Sequence, residues 1–277
     1  MTVNAENDLI LSVKDLSIDF PTGRVVNNVN LELKRGQTVG VVGESGSGKS
    51  MTSLAIMGLL PATATAAGTI VFNGDDLLKS SGSELRKIRG DRIAMIFQDP
   101  LSSLNPYFTV GHQIAEAYVA HRGGTYSQAK NRVIESMKKV AIPDPERRMH
   151  FYPHQFSGGM RQRIMIAMAL ICDPELIIAD EPTTALDVTV QAQILQLLAD
   201  IQQETSAAML FITHDLAVIS EIADSVTVMS AGDVVEQGTT REIFETPKHP
   251  YTKKLLAATP SLDDPVELPE PITTVEA

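Results

Sequence analysis

The chain has 277 residues, 43% of them hydrophobic, and its 23 basic and 34 acidic side chains give a formal net charge of −11. That length suits one large α/β domain or two modest ones, and the acidic balance argues against a protein that coats nucleic acid. No stretch approaches the roughly 20 apolar residues of a membrane-spanning helix, and the opening MTVNAENDLI lacks the basic and apolar regions of a signal peptide.

In chain order, LILSVKDLSIDF alternates apolar residues at Leu9, Leu11 and Val13, which predicts a half-buried strand. RVVNNVNLEL repeats the pattern at Val25, Val29, Leu31 and Leu33, and GTIVFNGDDLL is a strand-like run closing on an Asn-Gly turn. Together they predict a small antiparallel sheet. QTVGVVG is short and continuously apolar; after GESGSGKS comes MTSLAIMGLL, read as a buried helix stopped at Pro61. Residues from about 107 to 155 read as mostly helical, with Val133, Met137 and Val140 on one face before Pro143.

The lone cysteine, Cys172, lies in the apolar run IMIAMALIC and reads as a core residue; it excludes an internal disulfide and a cysteine-cluster metal site. ELIIAD and AAMLFITH are short apolar runs of the type found in a parallel sheet covered on both faces. Between them Ile194, Leu197, Leu198 and Ile201 recur at helical spacing, so strand, helix and parallel return strand is the simplest account. From Pro265 the sequence PVELPEPITTVEA is rich in proline and acid and reads as a loose tail.

The most specific chemistry lies at GESGSGKS. Gly43, Glu44, Ser45, Gly46, Ser47, Gly48, Lys49 and Ser50 match G-x-x-x-x-G-K-[ST], with a strand before and a helix, opening at Met51, after. Such a loop turns its backbone N–H groups onto phosphate oxygens, while the lysine meets the β- and γ-phosphates and the serine hydroxyl meets Mg²⁺. Asp180 and Glu181 end the buried run LIIAD, where open α/β sheets bind ligands. Downstream of a phosphate loop, Asp180 is expected to hold Mg²⁺ and Glu181 to polarise the attacking water as general base. His214 ends MLFITH and is placed to touch the γ-phosphate; Gln98, after IAMIF, is placed to sense Mg²⁺ and the water. A polar strand cap is the competing reading of Gln98, and His112, His121, His150, His154 and His249 read as ordinary histidines.

The order GESGSGKS, Gln98, FSGGM, LIIADE, TALD, His214 resembles the ATP-binding-cassette (ABC) ATPases over nearly the whole chain. The resemblance implies a P-loop NTPase (RecA-like) α/β core with a small antiparallel β-subdomain and an inserted α-helical signature subdomain. It assigns 1–262 to one ATPase domain, with the helical insertion at about 99–160 and a C-terminal segment at about 240–262, followed by a flexible tail at 263–277. In the family the signature of one subunit closes over ATP held by another, so Ser157, Gly158 and Gly159 are expected to complete a partner's site, with Asp187 making the D-loop contact. Phe20, 23 positions before Gly43, resembles the aromatic that stacks on adenine; an ordinary buried phenylalanine competes with that reading. Met160 stands where the commonest signature has Gln.

QDPLSSLNP (98–106) and ETPKHPYTKKLLAATPSL (245–262) further resemble the oligopeptide/dipeptide/nickel branch of ABC importers. Physics alone reads the first as a turn region and the second as a helix between prolines. The branch implies an ATP- and Mg²⁺-dependent motor for uptake of a small solute, oligopeptides or dipeptides first, with nickel, glutathione or another solute of the branch as alternatives, at the cytoplasmic face of the membrane beneath two integral membrane permease subunits. It further implies a second, homologous ATPase and an extracytoplasmic solute-binding protein, with the groove after Gln98 receiving short permease helices and no nucleic-acid partner. Some relatives carry an iron–sulfur cluster on cysteines after HPYT, which Cys172 alone does not supply. A soluble ABC ATPase without membrane partners and a cassette that regulates with little hydrolysis are the competing classes; the intact Glu181 argues against the second.

Overall fold

The structure, a computed structural model, describes residues 8–184 and 186–258, without the side chain of Leu101. The expected tail at 263–277 and the last residues of the C-terminal segment lie outside the described residues.

The chain opens with β1 (Leu9–Phe20) and β2 (Gly23–Lys34), then β3 (Thr38–Val42), α1 (Lys49–Ile56), β4 (Thr65–Phe72) and β5 (Asp75–Asp76). Next come α2 (Gly82–Ile88), β6 (Ile93–Ile96) and the helices α3 (Pro100–Ser103), α4 (Val110–Arg122), α5 (Tyr126–Lys139), α6 (Pro145–Arg148) and α7 (Gly158–Leu170). The remainder is β7 (Leu176–Asp180), α8 (Val188–Thr205), β8 (Ala208–Thr213), α9 (Leu216–Ile222), β9 (Ser225–Ser230), β10 (Asp233–Thr239), α10 (Thr240–Glu245) and α11 (Pro250–Ala257).

Two sheets result. The first is antiparallel in the order β2-β1-β4-β5; the second runs β10-β9-β3-β8-β7-β6, parallel except for β10. Strand β1 departs from simple alternation, because Ile10 is as buried as Leu11 and Val13. The register against β2 shifts between Leu9 and Leu11, a bulge that sets consecutive residues inward. β9 and β10 are additions that the pattern reading above does not anticipate.

The apolar runs of the parallel strands serve two cores. Ile177, Ala179, Met209 and Phe211 join the helices, whereas Leu176, Ile178, Leu210 and Ile212 join α1 and the antiparallel sheet. Alternate side chains of β7 and β8 thus face opposite layers, which is why these strands show no polar face. Helices α3 to α7 fall between β6 and β7, and Ile114, Val133, Met137 and Ile164 bury their shared face. Thr125 and Gln128 form a capping box that starts α5.

Helix α1 ends earlier than Pro61 suggests. Gly58 is left-handed (φ +59°), its N–H donates to the Ala55 carbonyl (2.9 Å) and that of Leu59 to the Leu54 carbonyl (2.8 Å). This is a Schellman stop, set by glycine. At the opposite end of the sheet from the loop described next, Glu175 accepts from Arg92 Nε (2.6 Å), Arg35 Nη1 (3.0 Å) and Asn73 Nδ2 (2.9 Å), tying the two sheets together.

Candidate active site

The C-terminal ends of the parallel strands lie level: Val42 pairs with Thr213, Asp180 with Ile212 and Ile96 with Ala179. The residues that follow these ends, Gly43–Gly48, Gln98, Glu181 and His214, therefore meet at one rim, where open α/β sheets bind ligands. A cavity of about 780 Å³ opens there, lined by Phe20, Val25, the whole of 43–51, Gln98, Glu181, Thr184, His214 and Leu255.

The loop is built tight against β9. A Cβ on Gly43 would lie 2.1 Å from the Met229 carbonyl oxygen and 2.8 Å from Ser47 Oγ, so only glycine fits this approach. Gly48, left-handed, is the N-cap of α1; it supplies no side-chain cap, and no acid occupies the first turn. The first N–H groups of that helix have no intrahelical partner and carry partial positive charge, which fits a phosphate.

Lys49 is 5% exposed, and its Nζ donates to the carbonyls of Gly43 (2.7 Å) and Glu44 (2.9 Å). Burial pushes its ammonium below the ordinary lysine range, opposed by the charges of Glu181 and Asp180. A desolvated cation facing this cavity suits an anionic ligand that restores its lost solvation.

Asp180 sits behind the loop, 9% exposed, and accepts from Ser50 Oγ (3.1 Å) and Ser53 Oγ (3.5 Å). Burial pushes its carboxyl above the usual aspartate range, with the Ser50 hydrogen bond opposing. Among the described residues no three His, Cys, Asp or Glu groups gather as a metal cage. One carboxylate beside one hydroxyl would suit a Mg²⁺ that arrives with phosphate oxygens and keeps water ligands.

Glu181 leaves β7 in a left-handed conformation (φ +49°), its N–H donating to the Ile212 carbonyl (2.8 Å). For a non-glycine residue that geometry costs on the order of 1 kcal/mol, and such strain gathers at functional sites. It turns the carboxylate toward two donors, Gln98 Nε2 (3.0 Å) and Thr184 Oγ1 (3.0 Å), and brings it to 3.3 Å from His214 Nδ1. A carboxylate held in this way can take a proton from a water placed between it and a phosphate.

Ser157, Gly158, Gly159 and Asp187 do not line this cavity. They form a second cluster in which the Ser157 hydroxyl caps α7 at the Met160 N–H (3.4 Å) and Asp187 caps α8 at the Val190 N–H (2.9 Å). A Cβ on Gly159 would lie 2.6 Å from Val190 Cγ1, so the two helix starts abut, while one on Gly158 would meet nothing within 4 Å. Gln162 Nε2 donates to the Pro182 carbonyl (2.5 Å), linking α7 to the turn after Glu181. Met160 packs its sulfur 3.4 Å from Arg148 Nη1.

Thr184 was not legible as a site residue, although it stands three positions after Glu181 in EPTT. Val25 and Leu255 likewise line the cavity without a local motif to announce them.

The ABC transporter family model matches residues 26–184. The chain belongs to the ABC transporter family. A second model, the oligopeptide/dipeptide transporter C-terminal region, matches this cassette at 235–276. The cassette is 52% identical over 260 residues to the dipeptide transport ATP-binding protein DppD of Bacillus subtilis (strain 168), covering 92% of this chain and 78% of that one. It is 51% identical over 260 residues to the oligopeptide transport ATP-binding protein OppD of Escherichia coli (strain K12), covering 92% and 77%.

Among solved structures it resembles cbiO1 of Clostridium perfringens, part of the ABC transporter complex cbiONQ, at a TM-score of 0.75 and 29% identity, covering 86% of this chain and 92% of that one. A dimeric post-hydrolysis state of the ATP-binding cassette MJ0796, bound to ADP and Pi, gives 0.74 and 29%, covering 84% and 99%. The α/β fold is thus that of an ABC ATPase cassette, an ATP-binding enzyme. Among the described residues no helix is long and apolar enough to cross a membrane.

Proposed function

We propose that this cassette is the ATP-hydrolysing motor of an importer for small solutes, oligopeptides or dipeptides first among them, at the cytoplasmic face of the cell membrane. The observation that carries the peptide assignment is the C-terminal match at 235–276, joined to the gathering of Gln98, Thr184 and His214 around Glu181 in the same chain. Residues 1–262 act as one ATPase body, with the helices at about 99–160 as its signature subdomain.

In this reading Phe20 stacks on adenine, the backbone of Gly43–Ser50 with Met51 cradles the phosphates, and Lys49 neutralises the β- and γ-phosphates. Ser50, Asp180 and Gln98 are the residues that hold Mg²⁺, which supplies charge neutralisation on the phosphate oxygens. Glu181 accepts the proton of the attacking water, while His214, Gln98 and Thr184 hold the Glu181 carboxylate in place. The cluster of Ser157, Gly158, Gly159 and Asp187 serves the ATP of a second, homologous cassette, because none of the four lines the cavity of its own chain. Of two integral membrane permease subunits, one docks in the groove of about 490 Å³ lined by Met57, Met95, Phe97, Met165 and Met168 and the other on the second cassette. An extracytoplasmic solute-binding protein delivers the solute to those subunits. ATP-driven closure and hydrolysis-driven opening of the cassette pair then drive alternating access.

The test is a pull-down of tagged Glu181→Gln chain from detergent-solubilised membranes with ATP and Mg²⁺, read by mass spectrometry. Two integral membrane proteins and a second cassette are expected. Recovery of soluble or nucleic-acid partners alone would replace transport with the soluble ABC ATPase class.

A further inference from the structure

The stretch His249-Pro250-Tyr251-Thr252 lies in the C-terminal match but has no assigned role at the site, yet its residues are held firmly. His249 Nδ1 accepts the Tyr251 N–H (3.2 Å) as the cap of α11, and Pro250 occupies the first helical position, where its missing N–H costs nothing. The Glu236 carboxylate on β10 accepts the N–H groups of Lys248 (2.7 Å) and His249 (3.0 Å), and Thr252 is fully buried. The start of α11 is therefore held in one place against β10.

That placement sends Tyr251 to the phosphate loop. Its hydroxyl oxygen accepts the N–H of Glu44 at 3.1 Å, across 207 positions of sequence. Leu255, one helical turn on and so on the same face, lines the ATP cavity itself. Leu256 packs on the same core as both but does not line the cavity.

We propose that α11 is a wall of the ATP site, with Tyr251 a positioning residue that pins the phosphate loop at Glu44 and Leu255 a lining residue for the nucleotide. A loop carrying glycines at 43, 46 and 48 has conformational freedom to lose when ATP binds. A fixed hydrogen bond at its second residue removes part of that freedom beforehand, which tightens binding. The Tyr251 bond falls on the loop backbone, whereas the Glu181 carboxylate takes its hydrogen bonds from Gln98 and Thr184, so α11 sets ATP affinity and leaves the chemical step alone. The inference rests on the reading of Gly43–Ser50 as the ATP loop.

The test titrates ATP-Mg²⁺ into the full-length chain and measures turnover in the assembled transporter. Tyr251→Phe keeps the ring and loses one hydrogen bond, so Kd and KM should rise about two- to tenfold with kcat unchanged. Leu255→Ala should raise Kd as well, whereas Leu256→Ala, which loosens the same helix, should not. A wild-type Kd in Tyr251→Phe, or an equal rise in Leu256→Ala and Leu255→Ala, would overturn the inference while the loop assignment stands. Lack of ATP binding by the wild-type chain, or undiminished binding by Lys49→Ala, would overturn the loop assignment and this inference with it.

Discussion

Replacing Glu181 by Gln separates binding from chemistry at this site. The carboxamide keeps the size of the side chain and one acceptor oxygen for the donors Gln98 and Thr184, each at 3.0 Å, but no longer takes a proton. The fold should barely respond: the His214 partner is 58% exposed, and ion pairs so placed contribute less than about 1 kcal/mol. The loop, Lys49 and Ser50 are untouched, and one negative charge near the incoming phosphates is gone, so ATP affinity should be equal or higher. Losing a general base costs roughly 10²- to 10⁴-fold in rate, which is about 3–5 kcal/mol of barrier. Phosphate release at saturating ATP-Mg²⁺, measured beside an ATP titration and a melting curve, reads all three quantities. Retention of most of the turnover with binding intact would remove Glu181 from the role of base.

Other substitutions test neighbouring parts of the argument. Gly43→Ala forces a Cβ to within 2.1 Å of the Met229 carbonyl oxygen, and overpacking of this kind should cost about 1–3 kcal/mol in denaturant unfolding; wild-type stability would contradict the tight seat of the loop. Lys49→Ala should weaken ATP binding by about tenfold or more, since hydrogen bonds to charged groups are worth roughly 1.5–3 kcal/mol; unchanged affinity in a titration would undermine the loop assignment. Asp187→Ala removes the cap of α8 and should lower stability by about 1 kcal/mol, visible as a lower denaturation midpoint.

The acid limb of stability should depend on Glu175. Burial pushes its carboxyl up, but hydrogen bonds from Arg92, Arg35 and Asn73 outweigh this and hold it below the usual glutamate range. A carboxyl lowered by folding stabilises above its unfolded pKa of about 4.3, and that contribution is lost as pH falls through the folded value. Glu175→Gln should therefore melt below wild type at neutral pH and converge with it in acid; a constant gap across that range would refute the linkage.

What could be read from sequence was what local chemistry announces. TVGVV, LIIAD and AMLFIT are short apolar runs with special residues at their ends, and those ends carry most of the site. Leu59 and Leu60 extend the apolar run beyond Gly58, whose left-handed turn ends α1 before Pro61, so the run is longer than the helix. The inward turn of Ile10 depends on a register slip between strands, which periodicity along one strand does not contain. Thr184 reaches Glu181 only because Glu181 adopts a positive φ, and Tyr251 reaches Glu44 only through tertiary folding. Capping at Ser157 and Asp187 is a local effect that a Ser or Asp just before a helix announces.

The account's central claim is that ATP hydrolysis at this site drives uptake of peptides. The most direct measurement is accumulation of a labelled dipeptide or short oligopeptide by cells whose own copy of the chain is replaced by Glu181→Gln, at equal protein abundance. Uptake should collapse to the level of cells lacking the chain and return with the wild-type sequence. Undiminished peptide uptake in the Glu181→Gln cells would contradict it.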